Sequence, residues 1–287
     1  MRRGAATTWL AVAAALVAGA LSVGRLLLAN GSALSNLVWA EDGLFPLCVR
    51  AHNVASCAVD PYSGYLLLVP RLVAWPVSLV PMDSWPMATN VAAAVLAALL
   101  AALAVVVLRA GGSGGVAAVV VALLPTIVPI MAFEAINVTA SVYMLLVFVA
   151  ALAVSFPPRG RFPTWAYAVG ALLVALTIPS SAILLLPLAV STLRGRIPRR
   201  GAVVTAVALV LGLVAQGAAT VLTANPRPMH WSIDALRSWA DTLPSGLLTF
   251  WPGQTELTAT GSFASSTVGW TQAGIVIAAV VLVLGIV

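Results

Sequence analysis

Two adjacent carboxylates, Glu41 and Asp42, stand in the run Trp39-Ala40-Glu41-Asp42-Gly43, shortly after the first long apolar stretch. Only eight acidic residues occur among 287, so a consecutive pair is conspicuous. A carboxylate there can take a proton from an attacking hydroxyl, ligate a divalent cation or cap a helix. Consecutive side chains diverge in a helix and in a strand alike, so this pair does not make the opposed carboxylates of a glycosidase. Two different jobs are expected, one member as general base and the other as metal ligand or helix N-cap. Asp42, ahead of Gly43-Leu44-Phe45, suits the N-cap.

The other candidates lie mainly in two polar stretches. Residues 30–87 hold Tyr62, Tyr65, Arg71 and the only cysteines, Cys48 and Cys57. Residues 224–270 hold Arg227, His230, Arg237 and the tryptophans 231, 239 and 251. Between them, Glu134 and Asn137 stand in Phe133-Glu134-Ala135-Ile136-Asn137. The cysteines fall on the side of a membrane where disulfides persist, and a Cys48–Cys57 bridge is expected, with two buried thiols as the alternative. A metal site built on them is disfavoured, because His52 and His230 are the only histidines. The chain has no lysine, which rules out a Walker phosphate loop. Gly111-Gly112-Ser113-Gly114-Gly115 formally matches a nucleophile elbow. It reads as a tight linker instead, on a side with no acid or histidine to complete a triad.

Composition sets the class of protein that must position these groups. Hydrophobic residues make up 62% and charged residues 8%, with mean hydropathy +1.08, against roughly 25% charged in soluble domains. The expected fold is all-α, a polytopic transmembrane bundle of about eight spans, each of about 20 apolar residues. Spans are read at 9–29, 88–108, 115–133, 138–156, 165–193, 202–223 and 271–287. The 165–193 stretch is broken by Ile178-Pro179-Ser180-Ser181 and flanked at both ends by arginines: 159 and 161 before it, 194, 196, 199 and 200 after. Positive charge marks the cytoplasmic side, so this stretch is expected to turn back as a hairpin. With Arg2 and Arg3 also inside, the N-terminus is cytoplasmic, as a retained anchor rather than a cleaved signal peptide. Nine of the fourteen arginines then fall inside and all eight acids outside. The +6 charge therefore serves membrane topology, and no nucleic-acid partner is expected. The chain reads as one transmembrane domain over 1–287, with the apolar run at its end suggesting a fragment of a longer protein.

The outer face carries two large segments. In the first (30–87), Leu44 to Arg50 reads as an interfacial amphipathic helix, and Asp60-Pro61-Tyr62-Ser63-Gly64-Tyr65 as a turn. Leu66 to Val80, short and interrupted by Pro70, Arg71 and Pro76, reads as re-entrant or interfacial, since an arginine at mid-bilayer is costly. Arg71 is expected either to bind substrate or to snorkel toward headgroups. The second segment is 224–270.

These features resemble the GT-C superfamily of multi-pass glycosyltransferases. The likeness rests on the acidic pair in the first outer loop, the interfacial helix, Pro61-Tyr62-Ser63-Gly64-Tyr65 followed by Pro70-Arg71, Glu134 in the next outer loop, and the broken hairpin at Leu176-Thr177-Ile178-Pro179-Ser180-Ser181. The resemblance implies transfer of a sugar from a polyprenyl-phosphate-linked donor to a hydroxyl of a glycan, lipid or protein acceptor, on the outer face of the cell membrane. Glu41 or Asp42 would be the base. Arg71, Arg227, Arg237 or a divalent metal ion would meet the leaving phosphate. Tyr62, Tyr65, Asn137 and His230 would line the substrate site. By their own chemistry, Trp231, Trp239 and Trp251 read either as belt residues at the lipid interface or as platforms that stack on sugar rings. Glu134 would complete a metal site with Asp42 or orient the acceptor. Two other readings stand beside this one: a multi-pass transporter or lipid flippase of the cell envelope, and a non-catalytic subunit of an envelope complex. Against the transporter, the spans carry almost no ionisable groups; for it, the Pro179 break offers a pathway.

Overall fold

The computed structural model describes residues 2–30, 41–127, 143–158 and 163–223. Within them the chain is all-helical and contains no strand. The helices are α1 (Arg2–Asn30), α2 (Glu41–Ala51), α3 (Val54–Val59), α4 (Leu68–Ser78), α5 (Trp85–Ala110), α6 (Gly115–Ile127), α7 (Tyr143–Ser155), α8 (Thr164–Ala175), α9 (Leu185–Leu193) and α10 (Arg199–Leu222). Short 3₁₀ turns, Met82–Ser84 and Pro179–Leu184, lead into α5 and α9.

Among the described residues, three stretches are long and apolar enough to cross a membrane: Gly4–Gly24 in α1, Met82–Ala110 through α5, and Arg199–Leu222, which is α10. The apolar helices Gly115–Thr126, Tyr143–Ser155, Thr164–Ala175 and Pro179–Leu193 are shorter, at 10–17 residues. At 1.5 Å per residue the longest of these described segments covers less than a hydrocarbon core of about 30 Å. The expected last span, 271–287, lies outside the described residues.

Small residues let the first long helices approach closely. Ala11 and Ala14 of α1 pack in one cluster with Ala97 and Ala104 of α5, and Ala18 packs with Ala101. Apolar area offers no drive between helices in lipid, so this close contact and buried hydrogen bonds hold the bundle.

The 165–193 stretch turns back on itself. Proline disfavours helical backbone in the residue before it, and Ile178, ahead of Pro179, is extended at φ −154° and ψ 135°. Beyond the break, Leu184 packs with Ala171, Val174 and Ala175, and Leu188 joins a cluster that takes in Tyr167. The two arms also finish at the same end of α7. The Tyr167 hydroxyl donates to the Ala153 carbonyl (2.8 Å), and Arg196 Nη1 donates to the Ser155 carbonyl (3.4 Å).

The ends of the bundle differ in charge. Arg109 closes α5, Arg194 and Arg196 follow α9, and Arg199 and Arg200 open α10. The opposite end holds Asp42, Asp60 and Asp83, with Arg50 lying 5.7 Å from the Trp85 ring centroid at the start of α5.

One polar contact fixes the segment after the Tyr62–Tyr65 turn to this frame. A Cβ on Gly212 of α10 would fall 2.5 Å from Ala175 Cβ, so only glycine lets α10 approach α8 this closely. One turn further along, the Gln216 amide donates to Ala175 O (2.9 Å) and Leu66 O (3.1 Å), while its oxygen accepts from Leu66 N (2.8 Å). Thr220 Oγ1 donates to Gly64 O (2.6 Å), and Leu68 N donates to Leu176 O (3.3 Å).

Gln216→Leu orphans three buried backbone groups, each costing on the order of 1–3 kcal/mol. A clear fall in the thermal midpoint is expected in detergent. Thr223→Val is expected to leave it unchanged, since Thr223 Oγ1 bonds only to Ala219 O within its own helix.

Candidate functional site

Helix α2 presents its buried side at positions 42, 45, 46 and 49, the i, i+3, i+4, i+7 stripe of a one-faced helix. Three are Phe45, Pro46 and Val49; the fourth is Asp42, only 2% exposed. The expected N-cap role is corrected here. The helix already includes Glu41, so Asp42 lies within it, on its buried face. Pro46 has no N–H to bond back to the Asp42 carbonyl.

The cysteines are joined, Cys48 of α2 to Cys57 of α3, with Cα atoms 6.0 Å apart. Helix α3 is capped by Asn53, whose side chain accepts from Ser56 N at 2.9 Å. This bridge holds the Cys57 carbonyl where Arg71 reaches it.

Arg71 of α4 is buried, at 3% exposure. Its Nη1 donates to Cys57 O and lies 3.5 Å from Asp60 Oδ2, and its guanidinium carbon stands 5.1 Å from the Phe45 ring centroid. The snorkelling expectation is therefore overturned: the guanidinium faces protein, because a carbonyl, a carboxylate and an aromatic face replace its water. Burial pushes its pKa down from the ordinary value, and Asp60 opposes the shift. Asp60 itself is 61% exposed, so solvent screens the ion pair and its net worth is small. Arg71 Nε is buried with no hydrogen-bond partner.

Tyr62 and Tyr65 flank a tight turn. Tyr62 N donates to Tyr65 O (2.8 Å) and Tyr65 N to Tyr62 O (3.1 Å). Ser63 and Gly64 take φ of 52° and 91°, positive at both central positions as a type I′ turn requires. Serine carries the cost of that left-handed conformation, a kind of strain found at functional sites. The rings meet edge to face, Phe45 with Tyr62 at 5.9 Å and Tyr62 with Tyr65 at 6.2 Å. Leu67, Ala74 and Tyr143 complete the cluster.

The structure thus gathers Tyr62, Tyr65 and Arg71 around Phe45, with Asp42 one turn from Phe45 on the same buried face. Glu134, Asn137, Arg227, His230, Arg237 and the tryptophans 231, 239 and 251 lie outside the described residues. Among the described residues no three His, Cys, Asp or Glu side chains gather as a metal site. Phe45, Asp60, Gln216 and Thr220 escape the sequence reading of the site. Gln216 had a signal: an amide inside an apolar span, with Thr220 one turn later. No family profile, curated protein or solved structure matches the chain.

Arg71→Ala removes a charged hydrogen bond and a cation–π contact, together about 2–4 kcal/mol. Hydrogen exchange is expected to rise across 41–78 while α10 stays protected. Asp60→Asn is expected to cost only about 0–1 kcal/mol.

Proposed function

We propose that this chain is a membrane glycosyltransferase of the GT-C kind, passing a sugar from a polyprenyl-phosphate-linked donor to an acceptor hydroxyl at the outer face of the cell membrane. The observation that carries the proposal is Asp42, buried on one face of α2 at the acidic end of the bundle. A carboxylate enclosed in this way needs partners to tolerate its burial, and enclosed acids beside an outer face are candidates for functional work.

In this reading the pair divides its work. Asp42, locked on the buried face, holds this part of α2 and thereby the place of its neighbour. Glu41 accepts the acceptor's proton as the oxygen attacks the anomeric carbon. The phosphate leaves with growing negative charge, which a cation must meet. Arg71 is already engaged by Cys57, Asp60 and Phe45, so it acts as a positioning residue. Arg227 and Arg237 are left for the phosphate, while Glu134, Asn137 and His230 orient the acceptor. The acceptor is a glycan, lipid or protein hydroxyl.

A multi-pass transporter or lipid flippase is the second reading. It is favoured by an apolar cavity of about 520 Å³ beside the non-helical break before Pro179.

Glu41→Gln is expected to cut sugar transfer from a polyprenyl-phosphate donor by about 10²–10⁴-fold, the usual weight of a general base, with the thermal midpoint unchanged. Asp42→Asn is expected to lower both activity and stability. Transfer that survives both changes sinks the enzymatic reading. Movement of lipid across sealed vesicles without any glycosidic product would establish the second one.

A further inference from the structure

The 520 Å³ cavity runs among α5, α7, α8, α9 and α10, from Val69 to Pro158 and Pro163. Of its lining side chains, Tyr167 and Thr205 carry hydroxyls, and both donate to backbone, Tyr167 to Ala153 O and Thr205 to Gly201 O, each at 2.8 Å. What remains is hydrocarbon. Apolar space of this kind holds no water, and its volume is that of a small-ligand site (about 300–1,000 Å³).

Charge marks one end of it. Ala110 and Val154 line the cavity. Beside them, Arg109 donates to Ser113 O at 2.6 Å and Arg196 to Ser155 O at 3.4 Å. The Arg109 Nε and Ser113 Oγ atoms are buried there with no hydrogen-bond partner. Arg194, Arg196, Arg199 and Arg200 are exposed at the same end.

We infer that this cavity holds one acyl chain of an anionic glycerophospholipid from the leaflet at the arginine end, with its phosphate between Arg109 and Arg196. Basic pockets between membrane helices recognise anionic headgroups in this way. The basic rim lies at the opposite end of the bundle from Asp42, so the occupant is a resident bilayer lipid and not the sugar donor. The inference is independent of sugar transfer, and its test has no catalytic readout.

A side chain added at Gly170, which lines the cavity, would begin in open space, with no atom within 4 Å of its Cβ. Gly170→Leu therefore fills the cavity without a first clash, and Ala150→Leu fills it from α7. Native mass spectrometry of the full chain from nanodiscs of mixed phosphatidylglycerol and phosphatidylcholine reads the bound lipid. The wild type is expected to retain one phosphatidylglycerol, preferred by about fivefold for each arginine that meets it. Gly170→Leu and Ala150→Leu are each expected to lose that lipid while keeping their thermal midpoint in lipid-free detergent. Arg109→Gln combined with Arg196→Gln is expected to keep a bound lipid but lose the headgroup preference. Equal retention of the two lipids by the wild type overturns the inference. So does undiminished phosphatidylglycerol in both filled variants, or its displacement by equimolar polyprenyl phosphate.

Discussion

Gln216 satisfies the backbone of Leu66 in both directions and takes the Ala175 carbonyl where α8 ends. It does so in a mostly apolar stretch of α10, where an unpaired backbone group has no water to turn to. The contact exists because Gly212 lets α10 lie against Ala175. Through it, three stretches far apart in the chain share one place: the segment after the Tyr62–Tyr65 turn, the broken end of α8, and α10. Thr220 and Thr177 extend the seam to Gly64 O and Val69 N.

The candidate site is built outward from that seam. The anchored segment delivers α4, and α4 delivers Arg71 into the space between α2 and α3. There a single guanidinium gathers a carbonyl held by a disulfide, a surface carboxylate and the Phe45 ring. Phe45 shares its buried face with Asp42, so the acidic pair is positioned through a chain of contacts that starts on α10. Each link is short-range, which makes the arrangement stiff, as the proposed general base requires.

The two ends of the bundle serve different ends of the bilayer problem. One carries the acids and the aromatic cluster, where surface chemistry is proposed. The other carries arginines around an apolar cavity, where a lipid is proposed. Segregation of charge along the bundle axis lets one small all-helical chain offer both without burying unpaired ions.

Much of this was legible in the residues alone. Apolar runs and sparse charge dictate helices in a membrane, because only helices and closed barrels satisfy their backbone there. The Pro179 break dictates a turn, since proline both lacks an N–H and restricts its predecessor. The helix over Leu44 to Arg50 follows from its amphipathic spacing, but the burial of Asp42 ahead of it does not. What the residues could not settle is who meets whom. Leu66 and Gln216 are 150 positions apart, and Arg71 finds a carbonyl, a carboxylate and a ring by geometry, not by local pattern. The N-cap reading of Asp42 and the headgroup reading of Arg71 both failed for that reason. Each was inferred from local exposure at a membrane surface, whereas burial is decided by what packs on top. Local sequence determined the elements and their polarity; only the tertiary structure decided which polar groups are enclosed, because the partners that make burial tolerable come from distant parts of the chain.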